Sequence, residues 1–178
     1  MTQRRIYQDE YPYFVTFNTL GGEPWFEEEK YAELLARIIF ETGEMKGYKI
    51  LSYQIMPNHV HLLVGKRTLE SVRLEDDKNV NSIDNSAERT FSKVRDPKKQ
   101  RTHAISDLMQ SIKGNFSYKH KLGLIWQSRF HTRIVNTPKY LATITKYIQE
   151  NPVKEGLSKM YSKSPYQFFD WYKIQNLF

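Results

Sequence analysis

The sequence predicts an α+β domain, built on an antiparallel sheet that carries its helices on one face. Strand-like and helix-like segments follow one another in the order strand, helix, two strands, helix, strand, helix, an order typical of α+β proteins. The dipeptide Pro57-Asn58 separates two strand-like runs and indicates a hairpin. A length of 178 residues suits one domain rather than two.

The first four elements are read from residue type and periodicity. Residues 11–19 are rich in aromatic and β-branched side chains and predict the first strand. A helix follows, because glutamates near its start suit the positive end of the helix dipole and Gly47 marks its end. Residues 48–56 and 58–65 are the two strands of the hairpin.

The second half of the chain resumes after a polar stretch. Residues 67–101 lack hydrophobic periodicity, and we interpret them as a mobile insertion within a single domain of residues 1–178. Helical spacing returns at Ala104, and residues 125–135 alternate as a strand with one cationic side. Pro138 begins the last helix, which Asn151-Pro152 and Gly156 are expected to end. The aromatic tail, residues 158–178, is expected to pack back on the domain.

Charge is distributed unevenly along the sequence. The formal net charge is +7, but residues 1–92 hold 11 Lys and Arg against 15 Asp and Glu, whereas residues 93–178 hold 16 against 5. The basic half is therefore the part expected to meet a polyanion such as nucleic acid. A solvated surface explains moderate charge equally well.

Composition also excludes several kinds of site. The chain has no cysteine, which rules out disulfides and thiolate metal sites. No run of 18 apolar residues and no apolar leader segment occurs, so the sequence predicts a cytoplasmic protein with no membrane partner.

Two histidines stand out in the second hairpin strand. His59 and His61 are two residues apart, and alternate strand residues share one face of a sheet, about 6.5 to 7 Å apart. Both imidazoles could therefore turn toward one metal ion. A single strand histidine is more often a hydrogen-bonded structural residue, and a short motif recurs by chance, so the pair alone leaves both interpretations open.

The last helix contributes a second candidate pair. Tyr147 and Asn151 are four residues apart and share one side of a helix, at the edge of its apolar stripe. A cleft would lie at that edge. The alternative is that Tyr147 is an aromatic residue at the core margin and that Asn151 ends the helix before proline.

Four segments together resemble a known family. HVHLLV, LMQSIKGNF, WQSRFHTRIV and YIQENPVKEGL resemble, in this order, the motifs of REP-associated tyrosine transposases. These are single-tyrosine HUH transposases of the insertion-sequence-200-like group, and the resemblance covers most of residues 11–157. It implies a ferredoxin-like (RRM-like) HUH palm in which His59 and His61 bind Mg²⁺ or Mn²⁺ opposite the nucleophile Tyr147. Asn151 matches the third protein ligand.

The resemblance also implies a reaction and a substrate. The expected activity is cleavage and rejoining of single-stranded, hairpin-bearing DNA through a 5′-phosphotyrosine intermediate, by a monomer or a homodimer. The tail departs from the family pattern, since it reads SPYQFF where a Trp-containing stretch is usual. Basic and polar residues of the second half are the expected DNA contacts: Lys113, Lys119, Lys121, Gln127, Arg129, His131, Arg133, Lys146 and Lys154.

Two other functions remain open at this point. A nucleic-acid-binding regulator on the same fold would bind DNA with strong salt dependence and make no covalent product. A metal phosphohydrolase would use an activated water and need no tyrosine, but no Asp or Glu lies at convincing ligand spacing.

Overall fold

The structure, a computed structural model, describes residues 10–66, 105–121 and 123–178. The predicted insertion 67–101 lies outside the described residues, so both its mobility and the single-domain organisation stay predictions. No helix in the described ranges is long and apolar enough to cross a membrane.

A five-stranded antiparallel sheet organises the fold, with the strand order β4-β1-β3-β2-β5. The α+β class and the antiparallel sheet predicted from the sequence are confirmed, as is the hairpin of β2 and β3. The tail packs back as expected and supplies β5. The strands are β1 Tyr13–Asn18, β2 Tyr48–Ile55, β3 His59–Lys66, β4 His131–Ile134 and β5 Gln167–Phe169.

The strand predicted for residues 125–135 is much shorter than expected. Only His131–Ile134 pairs as a strand, and Trp126 makes a single bridge to Thr19. Trp126 is buried among Phe17, Phe26 and Phe116. The Trp126 side chain is therefore part of the core, and the segment between Trp126 and β4 is irregular.

Within the described residues four α-helices accompany the sheet: α1 Glu29–Met45, α2 Ile105–His120, α3 Pro138–Lys154 and α4 Trp171–Gln175. Thr137 caps α3, because its hydroxyl accepts a hydrogen bond from the Tyr140 amide at 3.2 Å. The helix continues through Asn151-Pro152 to Lys154, so the expected end at that dipeptide was wrong, whereas Gly156, at a φ of 69°, follows the C-cap as expected. Pro152 removes one backbone hydrogen bond from the helix, because it has no N–H to donate.

The helices cover both faces of the sheet, which corrects the one-face prediction. Apolar residues of α1 and α2 form the larger core with one face, whereas α3 and α4 pack on the other. The physical reason lies in β3, whose residues between its two ends are all buried, so both of its faces need a cover. The smaller cluster comprises Leu51, Leu63, Val135, Leu141, Ile144, Ile148 and Ile174.

A β-bulge at Leu51 sets which side chains of β2 face α3. Ile50 pairs with Val64, but Ser52 already pairs with Leu63, so Leu51 is the extra residue. From there on the alternation is reversed, and Gln54 lies opposite His61 on the face that α3 covers. Strict alternation would have placed Tyr53 there instead.

Two helical glycines provide a matched test of the packing. A Cβ on Gly114 of α2 would meet nothing within 4 Å, whereas one on Gly43 of α1 would meet the Ile50 side chain at 2.8 Å. We expect Gly114→Ala to raise the free energy of unfolding by about 0.5 to 1 kcal/mol, the usual helix preference for alanine. Gly43→Ala should show no such gain, because Ile50 must shift. Urea unfolding measures both, and an equal gain in the two variants would contradict the packing.

Candidate active site

The two histidines lie side by side on β3. Their ring centroids are 4.8 Å apart and the ring planes are inclined by 77°. His61 is buried, with 4% of its surface exposed, and His59 is half-buried. Both side chains leave the strand on the face that α3 covers, as their spacing requires.

Each imidazole is held at its Nδ1 atom. Thr16 Oγ1 of β1 lies 2.9 Å from His61 Nδ1, and Asn58 Oδ1 lies 2.8 Å from His59 Nδ1. An amide oxygen only accepts, so His59 Nδ1 donates its proton and leaves the lone pair on Nε2. A metal-binding histidine usually makes such a hydrogen bond with the ring nitrogen that does not bind the metal.

Burial keeps both rings neutral at pH 7. It lowers the pKa of His61 to about 3, with a further lowering by the neighbouring His59. Burial also lowers the pKa of His59, while the carboxylate of Glu155 opposes the shift. The neutral imidazole is the form that binds a cation.

The tyrosine of α3 lies against the second histidine. Tyr147 Oη is 3.3 Å from His61 Nε2, and the two ring centroids are 5.1 Å apart. Phe14 of β1 contacts both, stacked on His61 at 5.6 Å and edge-on to Tyr147 at 6.1 Å. Burial and the charge of Glu155 raise the pKa of Tyr147, against a smaller lowering by Lys154. The phenol is therefore neutral at pH 7.

Asn151 is one helical turn beyond Tyr147. It is 4% exposed, and its Nδ2 atom has no hydrogen-bond partner among the described residues. The unpartnered atom is an N–H donor, which does not bind a cation, so only the Oδ1 atom of Asn151 could be a metal ligand. No group of three or more His, Cys, Asp or Glu side chains suited to a metal occurs in the described part of the chain. A metal site would therefore consist of His59, His61 and Asn151, and this donor set suits a divalent cation.

The residues predicted to contact DNA divide between the two faces. His131 and Arg133 of β4 pair with Thr16 and Phe14, so they share the histidine face, and both are exposed. Lys146 and Lys154 lie on α3, 3.8 Å and 2.9 Å from the carboxylate of Glu150.

The lysines of α2 belong to the other face. Lys113 donates to the backbone carbonyls of Gln127 and Ser128, and burial lowers its pKa. Lys119 forms an ion pair with Glu41 at 3.3 Å. These two lysines thus have structural partners. Lys121, Gln127 and Arg129 are exposed in the segments that follow α2.

Four residues at the site were missed in the sequence: Phe14, Thr16, Asn58 and Glu155. Phe14 and Thr16 sit on the half-buried side of β1, and only the pairing of β1 with β3 brings them to His61. Glu155 caps the end of α3, four residues beyond Asn151. Its helical spacing from Tyr147 and Asn151 is the one signal that was available.

Comparison with known proteins agrees with this geometry. The family model described as "Transposase IS200 like" matches residues 10–103, more than half of the chain. The chain belongs to the IS200-like transposase family. The resemblance recognised in the four motifs is thereby confirmed at the level of this family, whose members are DNA-cleaving enzymes. No curated protein matches this transposase.

Solved structures that resemble this transposase include the following two. One is the structure of a REP-associated tyrosine transposase bound to a REP hairpin, with 22% identity and a TM-score of 0.64, covering 100% of this chain and 88% of the other. The other is a candidate transposase from Deinococcus radiodurans R1, with 18% identity and a TM-score of 0.46, covering 84% of this chain and 97% of the other. The first confirms the HUH transposase fold.

The buried His61 predicts a loss of stability in acid. Its pKa is about 3 in the folded chain and about 6.5 when unfolded, so the unfolded state binds the extra proton between these values. The free energy of unfolding should then fall by about 1.4 kcal/mol per pH unit below pH 6.5. Urea unfolding at several pH values should show a weaker pH dependence for His61→Gln than for the wild type. His131→Gln, which removes an exposed imidazole, is the control, and equal slopes for wild type and His61→Gln would contradict the assignment.

Proposed function

We propose that this chain is a REP-associated tyrosine transposase that cleaves and rejoins single-stranded, hairpin-bearing DNA through a 5′-phosphotyrosine intermediate. The observation that carries the proposal is the contact of Tyr147 Oη with His61 Nε2 at 3.3 Å within one chain. A phenol from α3 and two neutral imidazoles from β3 meet there, and the buried amide of Asn151 lies one helical turn beyond the phenol on α3.

Each side chain has a distinct task in the proposed step. Tyr147 Oη attacks the phosphorus of the DNA, the bond from phosphorus to the 3′ oxygen breaks, and the DNA 5′-phosphate becomes esterified to the phenol. The phenol proton is balanced by the proton that the released 3′-hydroxyl takes up. Since one phosphodiester is exchanged for another, attack by a new 3′-hydroxyl reverses the reaction without a nucleoside triphosphate.

His59, His61 and Asn151 would hold the divalent cation, Mg²⁺ or Mn²⁺. When bound, the cation polarises the scissile phosphate and offsets the charge that develops on it. His61 Nε2 faces the phenol at 3.3 Å, which is long for a hydrogen bond, so this contact is readily exchanged for coordination. Asn58 Oδ1 keeps His59 in the tautomer that carries its proton on Nδ1, and Thr16 Oγ1 holds the orientation of the His61 ring.

Hairpin DNA as the substrate is supported by the fold and by surface charge. The REP-associated transposase of the same fold was solved bound to a REP hairpin. In this chain Arg133 and His131 are exposed on the histidine face, beside β1. Arginine forks onto phosphate oxygens, so a strand crossing β4 toward His61 would meet these side chains first.

Covalent capture of DNA tests the proposal directly. Incubation with a 5′-extended hairpin oligonucleotide and Mn²⁺ or Mg²⁺ should give a protein–DNA adduct that survives denaturing electrophoresis, and EDTA should abolish it. Tyr147→Phe should lose the adduct entirely, because no phenol oxygen remains to attack phosphorus.

Tyr172→Phe is the matched control, since Tyr172 is an exposed tyrosine of α4 and should give the wild-type yield. An adduct that persists in Tyr147→Phe would sink the assignment of the nucleophile. DNA binding without any adduct in the wild type would favour the non-catalytic regulator.

The support of His61 by Thr16 predicts a separate effect. Thr16→Val keeps the shape of the side chain but removes the hydroxyl that lies 2.9 Å from Nδ1. Loss of such a partner typically costs about 10- to 100-fold in metal affinity or activity. The Mn²⁺ concentration for half-maximal cleavage should therefore rise. Thr143→Val removes a hydroxyl that bonds only within α3 and is the control; an unchanged Mn²⁺ requirement in Thr16→Val would contradict the proposed ligand.

A further inference from the structure

A pair of glutamines lies beside the histidines and has no part in the proposed step. Gln54 of β2 is fully buried and is the cross-strand neighbour of His61. Its Nε2 atom donates to the carbonyls of Ile55 at 3.1 Å and Tyr161 at 2.9 Å. Its Oε1 atom accepts from Gln167 Nε2 of β5 at 2.7 Å. Both amide protons and the carbonyl of Gln54 are thus in use, which fixes the orientation of the group.

The second glutamine reaches the helix that carries the tyrosine. Gln167 Nε2 also donates to the backbone carbonyl of Gln149 at 3.3 Å. Gln149 lies midway between Tyr147 and Asn151 on α3. One amide nitrogen therefore ties the edge strand β5, its neighbour β2 and this turn of α3 together.

The same turn of α3 lacks part of its own support. Pro152 has no N–H, so the carbonyl of Ile148 loses its normal helical donor. Beside it, a cavity of about 630 Å³ lies between the helix and the tail. It is lined by Gln149, Glu150, Val153, Lys154, Ser162 and Gln167. Apolar packing does not fill this space, so the bond from Gln167 is a direct link between tail and helix there.

We propose that Gln167 and Gln54 are positioning residues, which set where α3 places Tyr147 and Asn151 above the histidine pair. The expected effect on the cleavage rate rests on the proposed function. The claim that the two glutamines hold α3 in place does not depend on it. Displacement of a reacting group by about 1 Å can cost about 100-fold in rate. The tail would thus act on the reaction through two amides, without touching DNA or the histidines.

The sharpest variant is Gln167→Glu, which keeps the size of the side chain and removes its donors. A carboxylate at this position would face the Gln54 Oε1 and Gln149 carbonyl oxygens, both acceptors. Gln167→Leu removes the polar group without adding charge and serves as the second variant. Gln175→Glu is the control, because it adds the same charge at an exposed position of the same tail.

Two measurements test the positioning role. Steady-state cleavage of the hairpin oligonucleotide with Mn²⁺ should show kcat reduced by about 10-fold or more in both Gln167 variants, with KM within about threefold of the wild type. Hydrogen exchange followed by mass spectrometry should show faster exchange of the amides in residues 147–157. Gln175→Glu should match the wild type in both.

The outcomes separate this inference from the proposed function. Wild-type kcat and wild-type exchange in Gln167→Glu and Gln167→Leu would overturn the inference while leaving the tyrosine mechanism intact. A lower kcat with unchanged exchange in α3 would also overturn it. If the wild-type protein forms no adduct, the proposed function fails, and the exchange measurement still decides whether the glutamines hold the helix.

Discussion

The register between β1, β3 and β2 is the constraint on which the candidate site depends. Thr16, His61 and Gln54 lie directly opposite one another on adjacent strands, and His131 and Gln167 extend the same row to the two sheet edges. A slip of one residue in β3 would turn His61 into the larger core and Leu62 out of it. The eight-residue strand, buried along nearly its whole length, makes that slip very unfavourable, so stability and site geometry are specified by the same pairing.

The two faces of the sheet have different roles: one carries the larger core and the other carries the candidate active site. On one face α1 and α2 bury the larger apolar core, which can be optimised for packing alone. On the other, an apolar row of Phe14 and Leu63 lies next to the polar row of Thr16 and His61. α3 follows this boundary, since its leucine and isoleucines pack on the apolar cluster while Tyr147 reaches the polar row. The packing of α3 on the smaller apolar cluster therefore determines where Tyr147 lies.

What the sequence predicted well was local. The hairpin, the helices and the shared faces of His59 with His61 and of Tyr147 with Asn151 follow from spacings of a few residues. The features that the sequence did not predict depend on contacts between residues far apart in the sequence. Thr16 lies 45 residues from His61, and Gln167 lies 113 residues from Gln54. Even the direction of Gln54 depends on the bulge at Leu51, which the alternation of apolar and polar residues does not reveal.

The charges of the basic half are spread over both faces of the sheet, and ion pairs compensate some of them. Lys113 and Lys119 serve backbone carbonyls and Glu41 on the face away from the histidines. Lys146 and Lys154 share Glu150, so their charge is partly compensated, although exposed pairs of this kind are weak. Arg133 and His131 lie on the histidine face and have no ion pair within the described ranges. In the proposed function, a DNA phosphate would bind at this edge of the sheet, beside the row that leads through Thr16 to His61.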